Sequence, residues 1–148
     1  MHKNTHARQR GFTLIELMIG VSVVGIVSSL ALPSFEGPLH KSRRSDVLVA
    51  TMTVQAAQER FRSNSTAYGS LADIGVPAES PAKHYTLQIT ASDGEGFELL
   101  ASATGAQSRD AGCRHMKLTS SGMNLVYRSG PDVNLANDAA ANQTCWSL

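Results

Sequence analysis

At 148 residues the chain has room for one compact domain and hardly two. Charged residues make up 17%, below the roughly 25% of average soluble domains, while 42% are apolar and thirteen Lys+Arg against twelve Asp+Glu leave a formal +1. That balance announces no polyanion partner, the size argues against an enzyme with a large pocket, two cysteines cannot form a four-cysteine zinc site, and no cofactor fingerprint is present. Aromatics at 5%, with one Trp, imply a modest core that needs extra support.

The chain opens on M-H-K-N-T-H-A-R-Q-R-G, which carries Lys3, Arg8 and Arg10. From Leu17 to Phe35 follow nineteen residues without a charge, close to the ~20 that cross ~30 Å of hydrocarbon as a helix. Cationic flanks stay cytoplasmic, which places the N-terminus inside and the remainder across the membrane. A secretory signal would carry its small-residue cleavage site after the apolar run. Here the candidate junction, Gly11-Phe12, precedes it. Glu16 lies within the membrane segment, where an acidic group costs a few kcal/mol unless partnered. Its plainer roles are snorkelling to the interface or favouring a helix N-terminus.

G-F-T-L-I-E-L-M-I-G-V, Gly11 to Val21, resembles the class III signal of type IV prepilins and pseudopilins. The resemblance implies that prepilin peptidase cuts between Gly11 and Phe12 and methylates the new amino group of Phe12. The mature chain then has 137 residues and, after losing three cations while keeping twelve acidic groups, a formal −2. It also implies an assembly subunit and not an enzyme, with no cofactor and no metal. The implied partners are other pilin subunits (major and minor), the peptidase, and the inner membrane with its pilus assembly machinery. The chain would pass once through the inner membrane of a Gram-negative-type bacterium, N-terminus cytoplasmic, before joining an extracellular pilus. In such filaments the partner of Glu16 is Phe12 of an adjacent subunit. Gly25 and Pro33 are candidate helix breakers, and pilins that resemble this one often melt between the corresponding positions; membrane helices also tolerate Gly and Pro.

After Glu36-Gly37-Pro38 the pattern becomes amphipathic. Val47, Ala50, Val54, Ala57 and Phe61 share one helical face, with Arg43, Arg44, Asp46, Gln58, Arg60 and Arg62 decorating the remainder. The basic residues around Lys41–Arg44 read as a solvated or subunit-packing face. Residues 64–84 are loop-like, anchored by Tyr68, Leu71 and Ile74. Strand alternation follows at Tyr85/Leu87/Ile89, at Phe97/Leu99/Ala101/Ala103, from Cys113 to Thr119, and at Met123/Leu125/Tyr127. These predict a four-stranded antiparallel meander on the helix stripe, an α+β fold with a long N-terminal helix. The expected organisation is a leader at 1–11, a hydrophobic transmembrane and filament-core helix at 12–35, an amphipathic helix at 36–63 and a globular head at 64–148.

Cys113 and Cys145 belong to the translocated portion, where an oxidising compartment favours a disulfide. It would hold a polar, Ala-rich tail that otherwise frays. The pair also resembles the disulfide-bounded C-terminal loop of type IVa pilins (residues 113–145 here), and Cys145-Trp146 with Gln107, Asp110 and Cys113 resembles the short PilE-type minor pilins. Asp132, Asn134, Asn137 and Asp138 match no EF-hand spacing, and the five histidines are scattered. Arg109, Arg114, Lys117 and Arg128 against Asp110 give a local +3 suited to phosphate contacts, yet residues 64–148 sum to −3. The expected function is a structural minor pilin of a type IV pilus, supporting adhesion, twitching motility or DNA uptake. The alternatives are a DNA-binding competence pilin, a major pilin, or a type II secretion pseudopilin.

Overall fold

The computed structural model describes residues 11–34 and 36–147, without the side chains of residues 30–34; the leader before Gly11 lies outside it. The chain divides into two units, one up to Glu36 and one from Gly37 onward.

The first unit is helix α1, Leu14–Ser34. It runs through Gly25 and Pro33, so both expected breakers are helical here. Among the described residues no helix is long and apolar enough to cross a membrane.

Helix α2, Glu36–Arg62, belongs to the second unit from Gly37 onward and there lies on an antiparallel sheet of order β1-β2-β3-β4. The strands are β1 (Tyr85–Ser92), β2 (Gly96–Ala103), β3 (His115–Ser121) and β4 (Asn124–Gly130). The period of two in each strand and the 3-4 spacing on α2 turn their apolar sides toward each other. Val47, Ala50, Val54 and Ala57 of α2 share one buried cluster with Tyr85, Leu87, Phe97, Leu99, Ala101, Met116 and Leu118. Ile74 joins that cluster, with Tyr68 and Leu71 packed at its margin, so the three expected loop anchors meet the core.

The structure departs from the sequence reading at several places. The third strand starts at His115 and not at Cys113, because Ala111–Cys113 forms a 3-10 turn. Met123 is fully exposed beside Gly122, whose φ of 56° sets the β3–β4 turn. The polar tail contains a helix, α3 (Ala139–Trp146), capped where Asp138 accepts from the Ala141 N–H at 2.8 Å. Trp146 is buried, edge-on to Tyr127, and its indole N–H donates to the Arg128 carbonyl at 3.0 Å. Asn142 donates to the Tyr127 carbonyl at 2.7 Å, and the Asn137 N–H to that of Ser129 at 3.1 Å. The tail thus occupies part of the free edge of β4, where unpaired backbone groups would invite another strand.

Asp46 and Gln58 also face inward, contrary to their reading as surface decoration. Gln58 is fully buried and exchanges two hydrogen bonds with the Gly69 backbone, at 2.7 and 2.9 Å. Asp46 accepts from the Ser80 hydroxyl and from the N–H groups of Ala82 (2.9 Å) and His84 (3.2 Å). Residues 64–84, which contain no helix or strand, are held by these two side chains of α2. Among the described residues Thr51 Oγ1 is the buried side-chain oxygen without a partner. Thr51→Val is therefore expected to stabilise the head by about 1 kcal/mol, visible as a higher Tm.

Candidate functional site

Assembly chemistry would begin at Gly11, Phe12 and Glu16. Thr13 is the residue before α1, and Glu16 stands three positions later, the spacing of a capping box. The Glu16 carboxylate accepts from the Thr13 N–H at 3.2 Å and hydroxyl at 3.1 Å, and the Glu16 N–H donates back to Thr13 Oγ1 at 3.3 Å. The carboxylate therefore closes the first turn within its own chain. It remains exposed on an apolar surface: Phe12 is 87% exposed, and Leu17, Val21 and Val24 each about 65%. Such a surface has to be covered by lipid or by protein.

The four candidate phosphate contacts have different surroundings. Arg114 donates to the backbone carbonyls of Ser108 (2.9 Å) and Pro131 (3.4 Å) just ahead of β3. Lys117 pairs with Glu98 at 2.7 Å, and its hydrogen bond holds the Glu98 carboxyl below the usual range. Arg128, on β4, lies directly opposite Lys117 of β3 and is exposed. Arg109 ends the Gly105–Arg109 turn, also exposed. His115, on β3, is shifted toward its neutral form by burial and secondarily by the charge of Arg114. Arg114 and Lys117 are thus engaged within the fold, and no single compact basic cluster follows from the local charge count.

A buried polar cluster is the feature that sequence reasoning missed. Arg44, read above as part of a solvated face, forms a fork with Asp110 at 2.7 and 2.8 Å, their side chains 12% and 8% exposed. That hydrogen bonding raises the pKa of Arg44. Gln107 donates to Asp110 and to the Tyr85 hydroxyl, both at 3.0 Å, and meets His40 Nδ1 at 3.0 Å. Burial pushes the Tyr85 phenol up to about 12. The only advance signal was the presence of Gln107 and Asp110 near Cys113.

Cys113 and Cys145 are bonded to one another. Of the polar residues that match no EF-hand spacing, Asp132 accepts from the Asn134 N–H at 2.8 Å and Asp138 caps α3, so both carboxylates serve the backbone. Among the described residues no group of three or more His, Cys, Asp or Glu is placed to hold a metal.

A family model described as "Type IV minor pilin ComP, DNA uptake sequence receptor" matches residues 33–117. Another, for a prokaryotic N-terminal methylation motif, matches residues 6–32. The chain is 35% identical over 89 residues to the type IV major pilin protein PilA of Myxococcus xanthus, covering 60% of this chain and 40% of that protein. It is 25% identical over 143 residues to prepilin peptidase-dependent protein D of Escherichia coli, covering 93% and 92%. With fimbrial protein Q of Moraxella bovis it shares 31% over 110 residues, 70% of this chain and 68% of that one. The chain spans less than two thirds of the length of the first curated relatives it matches.

Proposed function

The chain belongs to the type IV minor pilin family whose model spans residues 33–117, and on that premise we propose that it works as a membrane-inserted subunit later drawn into a pilus, not as a catalyst. The carrying observation is the exposed apolar surface formed by Phe12 and α1, which bears the Glu16 carboxylate. In the inner membrane lipid covers that surface; in a filament neighbouring pilin subunits do. Cleavage between Gly11 and Phe12 by prepilin peptidase would create an amine, left protonatable by methylation. A carboxylate in a water-poor setting needs such a cation. An amine from the next subunit would then set its axial register.

Two substitutions separate the cap from the charge. Glu16→Gln keeps a side chain able to close the capping box, whereas Glu16→Ala removes both functions. Both variants are expected to insert and be processed normally, and both to be depleted from sheared pili. Wild-type incorporation of both would make Glu16 a helix cap alone.

A second reading, reception of DNA, is favoured by the description of the matching family and by Arg128. Among the described residues nothing pairs with the Arg128 guanidinium, which is exposed on β4. Gel shifts at low and moderate salt test this reading. Arg128→Ala is expected to weaken binding across sequences and lower the salt slope by about 1. No salt-sensitive binding by the wild-type chain removes the reading.

A further inference from the structure

Cys113 and Cys145 are 32 positions apart, on segments that share no strand pairing. One side chain of α2 touches both segments. The Arg44 fork holds Asp110 at 2.7 and 2.8 Å, while its third nitrogen, Nη1, donates to the Thr144 carbonyl at 3.1 Å. Asp110 in turn receives the Cys113 N–H on its carbonyl at 3.1 Å, so the fork fixes the turn that ends in one cysteine. Thr144 is the residue immediately before the other.

We propose that Arg44 is a positioning residue for oxidation, gathering the two cysteine-bearing segments on α2 before the disulfide forms. Its partners are a carboxylate and a backbone carbonyl, groups that are the same in the dithiol and the disulfide chain. The bridge is therefore available before oxidation. The planar guanidinium is suited to it, because it presents a two-pronged fork to one partner and a further N–H to another. Lysine keeps the charge but has a single nitrogen and cannot reproduce that fork. Asn137 of the tail also donates to the Gly112 carbonyl at 2.7 Å, so the Cys113 turn is held by contacts from both α2 and the tail.

The oxidation itself is thiol–disulfide exchange with an external disulfide. One cysteine thiolate attacks the oxidant, forms a mixed disulfide and releases one oxidant thiolate. The second cysteine, as thiolate, attacks the protein sulfur of that mixed disulfide and releases the other. Two electrons pass from the cysteine sulfurs to the oxidant, and the two thiol protons end on its released thiolates. Arg44 takes no part in these bonds; it raises the local concentration of one sulfur at the other.

The test uses the full chain in detergent, equilibrated in reduced and oxidised glutathione, with acid quenching and thiol alkylation to count the disulfide. The ratio at half-oxidation gives the effective concentration of the two thiols. Arg44→Ala is expected to lower it about tenfold, the loss of a charge-assisted contact, and Arg44→Lys to restore only part of that. Gln58→Ala supplies the control for general destabilisation, since Gln58 holds the Gly69 loop and touches neither cysteine segment. Each loss is read against the variant's own fall in Tm in the oxidised form. A fall in effective concentration for Arg44→Ala beyond that of Gln58→Ala at equal Tm loss supports the proposal. Equal falls, or full restoration by lysine, would overturn it.

Discussion

Serine at both Cys113 and Cys145 is expected to remove roughly 3.5–4 kcal/mol from the head, the chain-entropy value for a loop of that length. The structure adds a location for the damage. The disulfide ties α3 to the turn before β3, and α3 with its approach covers part of the β4 edge. Without the bond the tail should fray first, exposing Trp146 and the backbone from Tyr127 to Ser129. Guanidinium melts give the energy. Hydrogen exchange gives the place: faster exchange in residues 125–146 with α2 unchanged is the expected pattern. An unchanged midpoint would mean that the polar contacts of Asn137 and Asn142 hold the tail by themselves.

The second large effect belongs to Asp110. Asp110→Ala strands the Arg44 guanidinium in a site 12% exposed and removes an acceptor from Gln107. Removing one partner of a nearly buried pair leaves the desolvated charge behind, and the expected cost is about 3 kcal/mol. Arg44→Ala combined with Asp110→Ala should cost less than the two single losses together, because the double variant strands no charge. Strict additivity in denaturant melts would show that the two side chains do not act as a pair.

The sheet was legible because its signal is local. Tyr85/Leu87 and Phe97/Leu99 alternate without interruption, and each alternating side chain reports one face of a strand. The stripe on α2 was legible for the same reason. The inward turn of Arg44, Asp46 and Gln58 was not. Their partners are backbone groups, the Ser80 hydroxyl and the Asp110 carboxylate, between 11 and 100 positions away, and no spacing within α2 encodes them. Helix α3 escaped because A-A-A-N-Q-T carries almost no apolar periodicity. Its one local sign was Asp138 ahead of an alanine run, a cap without a stripe. Arg114 read as a strand residue because its neighbours alternate, but its side chain is spent on the carbonyls of Ser108 and Pro131, and the strand begins one residue later. Lys117 counted toward a local positive charge that Glu98 largely answers across the β2–β3 pair.

The central claim is that this chain is a processed filament subunit, and the intact mass of the protein recovered from sheared pili tests it most directly. The account predicts a species that starts at Phe12, carries one added methyl group, and loses two mass units' worth of hydrogen through the Cys113–Cys145 bond. Recovery of the chain only from membranes, with residues 1–11 still attached and none in the pilus fraction, would contradict it.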